Sequence, residues 1–308
     1  MTRAKSVVPA LLAYILWGLL PIYWKLLQVI PPDRIIALRI VWSFVFVTLL
    51  LLIVRGLPRF LQALADRKQM GYLGLAAILI TINWFTYIYA VNNGMMVESS
   101  LGYYINPLVS ILLGVMFYKE RFRPAQVVAI ALAIAGVAVM IVEVGQVPWV
   151  GLILAVSFGF YGLIKKRVSV DATVGLAVET AVLSPFALLY LLLTPAAGLL
   201  AASTTHDGSF VLTAGSPLLY AVIPLSGILT ATPLLLFAFG SKHLDLSMMG
   251  FLQYIAPTMM LLLGVFAYGE SFTTAHAVCF GLIWAGIALY MGSSLKERRD
   301  AAKAGGTA

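Results

Sequence analysis

The chain has 308 residues, 62% of them hydrophobic and 10% charged, with a formal net charge of +8. Soluble domains carry about a quarter charged residues, so this composition excludes a soluble globule and points to a protein built into a membrane. In such a protein the basic excess is counted loop by loop before it says anything about partners.

Crossing the hydrocarbon takes about 20 apolar residues per helix. Ten runs qualify: 6–27, 34–54, 70–91, 97–117, 124–143, 148–165, 173–193, 216–240, 246–268 and 273–292. Barrel strands are about half as long and alternate strictly, so the expected fold is an all-α integral membrane protein. Arg3 and Lys5 precede the first run as in a signal peptide, but the run is too long, holds Trp17, Tyr23 and Trp24, and lacks a small-residue cleavage site. It reads as a retained first helix. The longest connection, Thr194 to Ser216, is rich in Ala, Gly, Ser and Thr and reads as a flexible loop. Ten helices put both termini on one side. Taken as cytoplasmic, that side holds 17 of the 20 Lys and Arg, and the positive-inside rule then sets the orientation. Cys279 stands alone in an apolar run, which excludes an intrachain disulfide and a Cys-based metal site.

A shift of 150 positions superimposes Tyr104–Ala138 on Tyr254–Ala288 without a gap. The matches include Pro107/Pro257, Gly114/Gly264, Tyr118/Tyr268, Glu120/Glu270, Phe122/Phe272 and Gly136/Gly286, which shared greasiness would not align. An earlier echo, Trp17-Gly18 and Lys25 against Phe158-Gly159 and Lys166, has a shift of 141. The chain therefore reads as two five-helix repeats, 1–145 and 146–295, followed by a basic tail, 296–308. An odd number of helices per repeat turns the second copy upside down. The loop YKERFRP carries three basic residues and its copy YGESFTT none, as two copies of one hairpin on opposite sides would. Inverted repeats are the signature of secondary transporters.

Each unit closes on G-x-x-x-Y-x-E, at Gly114 to Glu120 and Gly264 to Glu270. In this the units resemble those of the EamA group of the drug/metabolite transporter superfamily. AVNNG (Ala90–Gly94), ESSLGYYINPL (Glu98–Leu108), LRIVWSF (Leu38–Phe44), SFGFYGLIKK (Ser157–Lys166), GLAVET (Gly175–Thr180) and GFLQYIAPT (Gly250–Thr258) are similar to segments of the RarD proteins. RarD proteins are known as chloramphenicol-sensitivity proteins. The resemblance implies a ten-helix permease or exporter of the bacterial inner membrane carrying a small organic solute, such as an amino acid, an aromatic metabolite or a chloramphenicol-like drug.

Ionisable residues inside spans are costly and are functional candidates by default. Lys25 and Arg34 lie near the outer ends of the first two helices, where long side chains snorkel. Arg39 is deeper and wants an anionic partner, in the protein or on a substrate. Glu179 is its most suggestive protein partner, because the shift of 141 puts Arg39 opposite Thr180. That pair reads as a packing register, or as a gate or proton site. Glu98 reads either as a charge suited to the helix dipole or as a substrate or proton contact. Pro107 and Pro257 kink their helices and free carbonyls that line a cavity, or serve packing alone. Trp17, Tyr23, Trp42, Asn83, Trp84, Tyr87, Tyr103, Tyr104, Asn106, Gln253 and Tyr254 are the aromatic and amide candidates for the cavity wall. Ala131/Ala135 and Gly281/Ala285 read as close-packing stripes, and Glu120 and Glu270 as structural.

No G-x-S-x-G, H-E-x-x-H or P-loop pattern occurs, and His206, His243 and His276 fall in or near different loops, so an enzyme is not expected. A receptor or scaffold, or a carrier of lipid-linked or nucleotide-sugar cargo, stays open as an alternative. The expected partners are a small-molecule substrate and the bilayer, without cofactor or nucleic acid.

Overall fold

In hydrocarbon a chain satisfies its backbone only by coiling on itself or closing a barrel. The computed structural model describes residues 3–118, 124–165, 167–194, 217–241 and 252–305, and these are helical throughout apart from turns and short links. The helices are α1 (Arg3–Leu26), α2 (Pro32–Ile53), α3 (Leu57–Ala65), α4 (Arg67–Asn92), α5 (Met96–Tyr118), α6 (Pro124–Val144), α7 (Trp149–Lys165), α8 (Ala172–Leu193), α9 (Pro217–Val222), α10 (Leu225–Ser241), α11 (Ile255–Leu262, continued by a π-helical turn at Leu263–Ala267) and α12 (Thr274–Gly305). Among the described residues six helical stretches are long and apolar enough to cross a membrane: Val7–Leu26, Pro32–Ile53, Arg67–Asn92, Ala172–Leu193, Pro217–Phe237 and Thr274–Ser293. Val127–Glu143, Trp149–Lys165 and Ile255–Ala267 are shorter apolar helices. Glu120, Lys166, His206, His243, the loop after Thr194 and residues 246–251 of the ninth expected run lie outside the described residues.

The boundaries differ from the expected runs where backbone chemistry overrides hydropathy. The run 216–240 is two helices parted at Ile223-Pro224, because proline lacks the N–H that would continue the ladder. Pro107 lies inside the unbroken α5, whereas Pro257 lies in the first turn of α11, where a missing N–H costs little. Helical Leu252 and α11 are parted by the turn at Gln253–Tyr254, within four residues of Pro257 on its N-terminal side. The short α3 links α2 to α4. Asp66 caps α4 by accepting from the N–H groups of Lys68 and Gln69.

Helices pack as α1 with α10 and α11, α2 with α8 and α10, α4 with α7, α5 with α7 and α11, and α6 with α12. Glycines set the closest approaches. A β-carbon on Gly18 would lie 2.8 Å from Met259 Cβ, and one on Gly159 2.8 Å from Val109 Cγ1. Across α6 and α12, a β-carbon on Gly136 would lie 3.0 Å from Cys279 O, and one on Gly286 3.0 Å from Ala129 Cα. Ala131, Ala135, Gly281 and Ala285 are exposed, and a β-carbon on Gly281 would meet nothing within 4 Å. The close-packing stripe is thus Ala129, Gly136, Cys279 and Gly286, two residues out of phase with the stripe expected at 131/135 and 281/285. Two residues turn a helix by about 200°, so the expected stripe faces away from the seam.

Carboxylates fasten helix starts. The Met96 and Val97 N–H groups donate to Glu270 Oε1 and Oε2 at 2.9 and 2.8 Å, tying the turn before α12 to the start of α5. Gly264 leaves room for that carboxylate, since its β-carbon would stand 3.2 Å from Glu270 Oε2. Gly269, at φ +65, makes the turn between them in a conformation that favours glycine. Val150 N–H donates to Glu98 Oε1 at 2.9 Å.

Candidate functional site

Arg39, about two turns into α2, is 4% exposed. Its guanidinium carbon lies 4.0 Å from the Trp84 ring centroid and 5.0 Å from that of Trp24. Both distances are those of cation–π contact, in which the ring quadrupole attracts the cation. Nε and Nη1 are sealed from solvent and have no hydrogen-bond partner. The hydroxyls of Tyr23, Tyr87 and Tyr103 lie within electrostatic reach. Tyr87 and Tyr103 pack edge to face with centroids 6.0 Å apart, and the Tyr87 hydroxyl is buried without a partner. Asn83 stands beside them but is committed to α7, donating from Nδ2 to Leu154 O and Ser157 Oγ at 3.0 Å each. Tyr103 OH donates to Asn83 Oδ1 at 3.4 Å.

Glu179 is not beside Arg39. Its carboxylate, on a residue 1% exposed, accepts from Lys165 Nζ at 2.7 Å and from Tyr161 OH at 3.3 Å. Sequence reasoning paired it with Arg39 because their positions nearly correspond under the repeat, but Tyr161 and Lys165, four apart on α7, present one face directly to α8. A β-carbon on Gly175 would lie 2.7 Å from Lys165 Nζ, so glycine there admits the ammonium. Under the shift of 141, Trp24 and Arg39 correspond to Lys165 and Thr180. Positions that correspond in the sequence thus hold an ion pair in one place, Lys165 with Glu179 beside Thr180, and in the other a cation, Arg39, without a carboxylate partner among the described residues.

The remaining candidates divide between two other clusters. Tyr104 stacks on Tyr254 with centroids 5.7 Å apart and planes 15° off parallel, and Tyr104 also bonds Thr258 Oγ1. Ser100 Oγ donates to Pro257 O at 2.8 Å, and Gln253 is half-buried in the turn before α11. Trp17 packs with Tyr14 and Phe237. Trp42 is half-buried, and a β-carbon on Gly227 would come 2.3 Å from its carbonyl oxygen, so α2 and α10 touch backbone to backbone there. Asn106 keeps a buried Oδ1 without a partner. Glu98 is spent on the first turn of α7. Toward the α1–α2 turn from Arg39, Leu27, Ile30, Ile35, Leu38, Ile223 and Ser226 line a cavity of about 10 Å³, room for at most about one water. Tyr23 OH donates to Val222 O at 3.1 Å beside it.

A helical bundle with several apolar spans, holding an unpaired arginine and a lysine–glutamate pair within them, has the make-up of a multi-pass membrane transporter. The EamA-like transporter family matches residues 4–142. The uncharacterized transporter YojE of Bacillus subtilis (strain 168) is 46% identical over 298 residues, 96% of either chain. Protein RarD of Salmonella typhimurium (strain LT2) is 41% identical over 96% of this chain and 97% of its own. A solved crystal structure 22% identical covers 97% of this chain and 98% of its own with a TM-score of 0.61, a likeness of fold alone. The chain belongs to the EamA-like transporter family and has RarD proteins among its relatives.

Proposed function

We propose that the chain is a secondary transporter of a small organic solute, built as two inverted five-helix repeats, 1–145 and 146–295, that alternate access to a site between them. The proposed setting is a bacterial inner membrane with both termini cytoplasmic.

The observation that carries this reading is that tertiary contacts repeat under the shifts that align the sequence. Gly136 meets Cys279, and the shift of 150 turns that contact into Gly286 with Ala129, which also occurs. Gly18 meets Met259, and the shifts of 141 and 150 turn that contact into Gly159 with Val109, which occurs too. Tyr104 stacks on its own counterpart, Tyr254, as a residue on the pseudo-two-fold axis would. A repeat that dimerises with itself in this way can exchange the conformations of its halves, which is the basis of alternating access. Arg39 lies off that axis, under the small apolar plug at the outer end of α1 and α2, and it is where we assign the cargo.

The test is solute flux into proteoliposomes holding the purified full-length chain. A labelled panel of amino acids, aromatic acids and chloramphenicol-like amides would be followed with and without a pH gradient. Saturable uptake of at least one class, missing from empty liposomes, is expected. No flux of any member under either gradient would overturn the transporter reading.

A further inference from the structure

We propose that Arg39 is the docking point for the cargo and that the cargo bears a carboxylate on a flat or apolar body. The inference rests on the transporter reading above and names the substrate class for its site.

The electrostatics argue for an anion. Guanidinium groups buried in protein are paired, because an unpaired buried charge is costly, yet Arg39 is 4% exposed and carries two sealed nitrogens without partners. The carboxylates of Asp33, Asp66, Glu98, Asp171, Glu179 and Glu270 each hold another partner: Tyr190, the start of α4, the start of α7, Arg59, Lys165 and the start of α5. Three other cations lie in or near the interior: Lys165 is balanced by Glu179, buried Lys25 lies 5.2 Å from the Tyr268 ring centroid, and buried Arg34, at the start of α2, is within reach of Tyr190. The three Lys and Arg that the charge count leaves off the cytoplasmic side, Lys25, Arg34 and Arg39, all belong to the α1–α2 hairpin. Among the described residues no carboxylate pairs with Arg39, and a monoanion at its free edge would balance that charge.

Shape narrows the class. The Trp24 and Trp84 rings hold the guanidinium carbon at 5.0 and 4.0 Å from their centroids, and two of its N–H groups, on Nε and Nη1, are left without partners among the described residues. A planar carboxylate accepts from a guanidinium with two parallel hydrogen bonds. The buried Tyr87 hydroxyl, also without a partner, supplies a further donor. Around these groups the wall is indole and phenol, which suits an apolar or aromatic body. A phosphate ester or nucleotide sugar carries more charge than this single cation balances.

The test compares each acid with its own primary amide. Wild-type chain in proteoliposomes is given labelled phenylalanine or phenylalaninamide, leucine or leucinamide, and 4-hydroxybenzoate or 4-hydroxybenzamide, with empty liposomes as the leak control. Arg39→Gln and Arg39→Lys follow on whichever solute moves. Saturable flux of acids only is expected, with Arg39→Gln slowing it at least about tenfold, since a hydrogen bond to a charged group is lost, and Arg39→Lys retaining part. Saturable flux of an amide equal to that of its acid, or wild-type flux in Arg39→Gln, overturns the carboxylate assignment and leaves the transporter reading standing. No saturable flux of any acid or amide overturns both. The acid and amide comparison uses the wild-type chain, so it decides the matter even if a variant fails to fold.

Discussion

Replacing Gly102 by alanine tests the close approach of α5 to α7. The added β-carbon would stand 2.5 Å from Gly151 O and 2.8 Å from Gly151 Cα, whereas favourable carbon–oxygen contacts begin at about 3.3 Å. The obstacle is backbone on the facing helix, so no rotamer relieves it and the helices must part by nearly an ångström. Gaps of that size forfeit a quarter to a half of each dispersion contact. Overpacking of this kind costs roughly 1–3 kcal/mol, and we place Gly102→Ala at about 3. Alanine regains about 1 kcal/mol over glycine in a helix, leaving a net loss of about 2. Gly281→Ala is the control, because nothing lies within 4 Å of its β-carbon; it should gain about 1 kcal/mol. The two variants should then differ by about 3 kcal/mol, or about 6–12 °C in unfolding midpoint at roughly 2–4 °C per kcal/mol. Cys279, the single cysteine and fully buried, provides the assay: a thiol-reactive fluorogenic dye reports its release as the detergent-solubilised protein is heated. Equal midpoints for the two variants, or a lower midpoint for Gly281→Ala, would refute the packing argument.

In the same assay, Lys165→Met should be among the most damaging single changes, since it strands a 1%-exposed carboxylate at a cost of roughly 3–5 kcal/mol. Adding Glu179→Gln to Lys165→Met should recover most of the loss; no recovery would contradict the ion pair. Gly175→Ala should lower the midpoint less than Gly102→Ala, because its β-carbon meets only the end of the flexible Lys165 side chain. Glu270→Ala removes the acceptor of two N–H groups at the start of α5 and should cost about 1.5–3 kcal/mol, with amide exchange rising first at Met96 and Val97; unchanged exchange there would refute the cap.

The all-helical apolar make-up and the family were legible because each is written locally or by recurrence. Length and apolarity fix where a helix must be, and Pro107/Pro257 with Gly136/Gly286 are residue-specific enough to align. Arg39 was legible as a buried charge, but its surroundings were not. Trp24 was not among the cavity candidates, and only the fold brings its ring within 5.0 Å of the guanidinium. The partner of Glu179 was missed for a related reason: a sequence shift finds corresponding positions, while ion pairing follows which side chains reach one another, here Lys165 from the end of α7. One hint lay in the sequence, the spacing of Tyr161 and Lys165 on one helical face. Tyr104 and Tyr254 read as cavity wall, and the structure adds that they stack on each other, a contact that no single position of the sequence shows. The misplaced small-residue stripe has the simplest cause, a phase error of two residues, which no hydropathy pattern resolves in helices apolar all round.

The most direct measurement of the central claim is two-sided thiol accessibility. In a Cys279→Ala background, a single cysteine at Leu27, in the plug outward of Arg39, and another at Ile164, near the end of α7 by the Lys165–Glu179 pair, would be labelled with a membrane-impermeant maleimide in oriented proteoliposomes, with and without a transported acid. Alternating access predicts that cargo changes the two labelling rates in opposite senses. Rates that rise or fall together, or that ignore a cargo whose flux is saturable, would contradict it.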